Sequence, residues 1–124
     1  MLRPLLISAV VMIILDALQI FANQKFHATL FKNVQKSPLK VRIIPAILVY
    51  VLMPFAVTYF AILQSKSIKD AGLKGALLGL TIFGVYDLTN LATLDGWTIE
   101  MAIRDILWGI IMFTITSVVG YYFI

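Results

Sequence analysis

Between Ala76 and Gly109 a run apolar enough to cross a bilayer takes in Tyr86-Asp87-Leu88-Thr89-Asn90-Leu91-Ala92-Thr93, turns at Asp95-Gly96-Trp97, and resumes through Arg104-Asp105-Ile106-Leu107-Trp108-Gly109. A charged side chain at the centre of a membrane helix costs roughly 2.5–3.5 kcal/mol even on the lenient insertion scale, so acids in such a run need partners inside the protein. Two constraints follow. The run must form membrane-crossing helices, because a helix satisfies its own backbone groups in lipid, and those helices must turn their acids toward one another.

The composition agrees. The chain has 124 residues, 61% of them hydrophobic and 13% charged, with a mean hydropathy of +0.98. That lies well above the roughly 45–50% apolar share of soluble domains. Four apolar runs fit, at about 4–22, 43–63, 71–94 and 99–122, each long enough for a hydrocarbon core of about 30 Å. The expected fold is all-α: a multi-pass membrane protein in which a four-transmembrane-helix bundle forms one domain over residues 1–124. A soluble catalytic domain has no room. Ten Lys and Arg give a net charge of +4. Nearly all of them lie outside the apolar runs, which suits anionic headgroups, and no motif that reads nucleic acid is present. The absence of cysteine excludes disulfides, thiolate catalysis and zinc–thiolate sites, and no cofactor is expected.

The first run begins after Arg3 and contains Asp16 and Gln19. A cleaved secretory signal is the rival reading, but the run is long for such a core, Ile20 is bulky where a small residue is wanted, and an acid interrupts it. Residues 23–42 carry Lys25, His27, Lys32, Lys36, Lys40 and Arg42, with Phe26, Leu30, Phe31 and Val34 spaced as on an amphipathic interfacial helix. An extension of the first span followed by a solvated loop fits equally, and His27, the single histidine, reads as a solvated side chain. In the second run Pro45 suits the first turn, whereas Pro54 removes a hydrogen bond from the Tyr50 carbonyl and predicts a kink. The third run opens with Gly72, Gly75 and Gly79, of which Gly75 and Gly79 form a small-xxx-small pair for close helix packing. After the Asp95-Gly96-Trp97 turn, Thr98 is a candidate N-cap, and Glu100 with Arg104 forms a favourable i,i+4 pair. The distribution of Lys and Arg leans toward the first and third connections being cytoplasmic.

Depth ties these polar residues together. With four alternating spans, the end of the first, the end of the third and the start of the fourth lie on one side. At about 1.5 Å per residue, Asp16, Asp87 and Asp105 then sit roughly 7–10 Å below the same membrane face. Facing each other across the bundle, they would find partners in Gln19, Tyr86, Thr89, Asn90 and Trp108. Adjacent carboxyls cannot all ionise cheaply, and the group would exchange protons as a unit.

Three functions fit such a cluster. It binds or conducts a proton, a cation or a small polar solute; or it is a packing network in a structural subunit or assembly factor; or it belongs to an intramembrane enzyme. The enzyme reading is weakest, because no Ser–His, Cys–His or zinc-type spacing is present, so no catalytic residue or metal ligand is assigned. The bilayer is the expected partner, and a homo- or hetero-oligomer is open.

The segments 75–80, 86–94 with Trp97, and 105–109, joined by Leu15-Asp16 and Pro54, resemble the signature of a family of small four-helix integral membrane proteins of bacteria and viruses whose function is unknown. The resemblance implies a four-helix fold over the whole chain. It also implies that Asp16, Asp87, Asn90, Asp105 and Trp108 belong to the family's polar motif, and it supplies no activity. The chain departs from the pattern after Asp16, where Ala17-Leu18 replaces a tryptophan.

Overall fold

The computed structural model describes residues 2–26, 29, 32 and 42–124. Four long helices account for nearly all of them: α1 (Leu2–Ala22), α2 (Ile43–Val57), α3 (Ile68–Thr93) and α4 (Ile99–Tyr122). A π-helical segment, Thr58–Ile62, continues α2. No strand occurs among the described residues. Each of the four is long and apolar enough to cross a membrane, counting α2 through Ile62. The chain is a multi-pass helical membrane protein. The amphipathic reading of residues 23–42 falls largely outside the described residues, His27, Leu30, Phe31, Val34, Lys36 and Lys40 among them.

Helix starts follow local chemistry. The third span begins at Ile68, earlier than its hydropathy alone suggests, because the Ser67 side chain accepts from the Asp70 N–H and the Asp70 carboxylate accepts from the Lys66 N–H. Asp70 also pairs with Lys74 at 2.7 Å. At α4 the expected cap is present: the Thr98 hydroxyl accepts from the Met101 N–H at 3.1 Å. Thr98→Ala should therefore cost about 1 kcal/mol in unfolding measurements on the micellar protein. Four residues past the buried Pro54, the helix widens from α to π spacing, and Val57, Thr58, Ala61 and Ile62 turn into the bundle.

Antiparallel packing of α3 on α4 is the most extensive contact, and α1 lies along the other side of α4. The α3–α4 approach is close enough to leave no room for a side chain: a Cβ on Gly75 would lie 2.7 Å from the Ser117 Cβ, and one on Gly79 would overlap the Gly109 carbonyl. Met12, Val57, Ala61, Ile62, Met112 and Phe113 fill the interior. Among them lie the buried hydroxyls of Ser8, Thr58, Thr116 and Ser117, with Thr58 donating to Ser8 at 3.3 Å.

Candidate functional site

Asp16, Asp87 and Asp105 each stand six residues from a helix end, at Ala22, Thr93 and Ile99. That puts them about 9 Å along their axes from the same end of the bundle. Helix rotation then divides them into two groups. Asp16 on α1 holds two other helices: the Tyr50 hydroxyl of α2 donates to one carboxyl oxygen, and the Trp108 indole N–H of α4 donates to the other at 3.3 Å. Both oxygens are satisfied.

Asp87 is the opposite case. It is fully buried on α3, and neither of its oxygens has a hydrogen bond of normal geometry. The Asp105 carboxyl of α4 and the Trp97 indole from the connecting turn adjoin it. The glycine contacts explain the pairing. A Cβ on Gly109 would overlap the Phe83 side chain, and toward the connecting turn Asp87 lies one turn beyond Phe83 while Asp105 lies one turn from Gly109, so the register that sets Phe83 on Gly109 also sets Asp87 beside Asp105. Among the described residues no three His, Cys, Asp or Glu side chains form a group suited to a metal ion; of the expected polar residues, Asp16 is bonded to Trp108, and Asp87 adjoins Asp105.

The remaining residues take distinct places. Gln19, one turn from Asp16, shares with Asp105, Phe26, Met101 and Arg104 a crevice of about 10 Å³, room for about one water. Tyr86 is half-exposed, lies beside the Asn90 side chain, and sets its ring edge-on to Trp97 at 5.9 Å. Thr89 is exposed: two residues beyond Asp87, it points about 200° around α3. Arg104 forms the expected contact with Glu100 at 3.6 Å, donates to the Asn23 side chain at 2.9 Å, and lies over the Phe26 ring at 3.9 Å. It thereby ties the end of α1 to the start of α4.

Two contributors escaped the sequence reading. Trp97 read only as part of the turn and of the family signature, and Tyr50 only as the residue whose carbonyl Pro54 frees; the signal available for each was a polar-tipped ring near the depth of an unpaired acid. Tyr50→Phe should lower stability by about 1 kcal/mol, as should Trp108→Phe. Because the two donors share one carboxylate, the paired substitution should be non-additive in a thermal double-mutant cycle.

The family described as "Predicted membrane protein (DUF2177)" matches residues 1–122 of the chain. No curated protein and no solved structure matches it.

Proposed function

The chain belongs to the DUF2177 family of predicted membrane proteins, and on that premise we propose that it binds one positive charge, a proton or a small monovalent cation, at the pair Asp87 and Asp105. The observation that carries the reading is Asp87 itself, fully buried beside a second carboxyl and without a normal hydrogen bond on either oxygen. A packing network satisfies its members, as Tyr50 and Trp108 satisfy Asp16. A fully buried carboxyl beside a half-buried one favours at most one net negative charge between them unless a cation joins them. The crevice at Asp105 opens beside Arg104, and its volume of about 10 Å³ favours a proton or bare ion over a polar solute or an enzyme's substrate. Passage across the whole bundle has less support, since Met12, Met112 and Phe113 are packed in the interior beyond Asp16 and Asp105.

The structural reading keeps its own observation. Asp16 joins α1, α2 and α4 through fully used oxygens, and its role is to hold the bundle together.

The test titrates sodium, potassium or lithium chloride, against choline chloride, into weakly buffered micellar protein while following proton release and the thermal midpoint. If a cation is the ligand, one salt releases about one proton per chain and raises the midpoint, as a ligand specific to the folded state must. Asp87→Asn and Asp105→Asn abolish both effects. If the proton alone is the ligand, no salt acts, and the midpoint of the wild type varies with pH in a way both variants lose. Wild-type salt and pH responses in both variants refute the site.

A further inference from the structure

Away from the carboxyl pair, between α1 and α2, a groove of about 720 Å³ opens along one side. Ala17 and Ala46 face into it, and these small side chains are what keep the two helices from filling it. From Ile13 at its deep end to Gln24 at its mouth the groove runs eleven residues, along α1 and just past its end. That is about 16 Å, the depth of one leaflet of a hydrocarbon core of about 30 Å. Beyond Ile13 it closes, because Met12 and Val57 pack in the core and Thr58 bonds to Ser8. Its one polar floor residue, Tyr50, already donates to Asp16, so the interior offers an occupant apolar contact only.

Two cations adjoin the mouth in the chain. Lys25 follows Gln24, and Arg42 precedes Ile43, another lining residue; both are exposed, and among the described residues neither is in an ion pair. Basic pockets between membrane helices at headgroup level bind anionic lipid. We infer that the α1–α2 groove seats one acyl chain of an anionic phospholipid whose phosphate is held at Lys25 and Arg42. A second copy of the chain is the poorer occupant: a two-fold interface centred here sets Lys25 and Arg42 against the same residues of the other copy. The site is independent of the carboxyl pair.

Delipidated protein in micelles, offered phosphatidylglycerol or phosphatidylcholine of equal chain length and followed by native mass spectrometry, tests the assignment. The wild type should retain phosphatidylglycerol with a preference of about tenfold or more, and Lys25→Gln with Arg42→Gln should bring that preference close to parity. Ala46→Trp, which fills the groove, should lose both lipids. The charge variant changes only exposed side chains, so it stands as a test even if Ala46→Trp fails to fold. Equal retention of the two lipids by the wild type overturns the inference, as does a preference that the double charge variant keeps. A dimer signal in place of bound lipid gives the groove to a second copy and overturns it as well.

Discussion

Gly79→Leu is expected to part α3 from α4 and to lower stability by roughly 3 kcal/mol, at the upper end of what overpacking costs. Even a methyl at this position would lie 2.8 Å from the Gly109 carbonyl carbon and 3.0 Å from the Phe113 Cβ, so leucine cannot be accommodated by turning a side chain. Lipid offers no compensating hydrophobic gain, because acyl chains are as apolar as the interface, and close van der Waals contact is what joins the two helices. The control is Gly84→Ala on the same helix: a Cβ there meets nothing within 4 Å, and the substitution should change stability little. Unfolding of the micellar protein with increasing dodecyl sulfate compares the two. A mild Gly79→Leu would mean that the α3–α4 interface is looser than its geometry. Because the same register brings Asp87 to Asp105, Gly79→Leu should also weaken ion or proton binding without touching either carboxyl.

Asp87→Asn separates the binding reading from a packing reading. The substitution keeps the shape, leaves Asp105 to carry the pair's one negative charge without a shared proton, and gives the site a fixed donor that can bond to that carboxyl. It should therefore raise unfolding stability by about 1–2 kcal/mol while abolishing binding. A residue held for packing alone would lose or keep both together. Asp87→Leu should destabilise, since a larger branched side chain enters a fully buried site and the half-buried Asp105 is left with an apolar neighbour in place of a carboxyl. Thermal midpoints of the three proteins, read beside the salt response, distinguish these outcomes. Stability lost in Asp87→Asn would return the residue to a structural role.

The spans were readable because lipid thickness selects runs of about 20 apolar residues, and the turn at Asp95-Gly96-Trp97 with its Thr98 cap marked the hairpin. Asp87 and Asp105 stood out for the related reason that an acid in such a run demands an explanation, and the structure sets the two side by side. Rotation about the helix axes was not. A membrane helix is apolar on its lipid face and its packed face alike, so the pattern of α1 or α2 does not say which side meets a neighbour. That is why Tyr50 was missed as the second partner of Asp16, whose bond to Trp108 lies within the expected set, and why Thr89 read as an inward partner when it is exposed. The π segment after Pro54 had a visible cause in the proline, but its effect, turning Val57, Thr58, Ala61 and Ile62 inward, depends on how the next turn settles against α1 and α4.

The account rests on Asp87 and Asp105 sharing one positive charge, and infrared difference spectroscopy of the protein reconstituted in phosphatidylcholine, without added metal salts, reads that state directly. At neutral pH the wild type should show the carbonyl stretch of a buried protonated carboxyl. Asp87→Asn and Asp105→Asn should each remove or displace it, and Asp16→Asn should leave it in place. A spectrum with no such band, or a band that both substitutions at the pair leave untouched, would contradict the central claim.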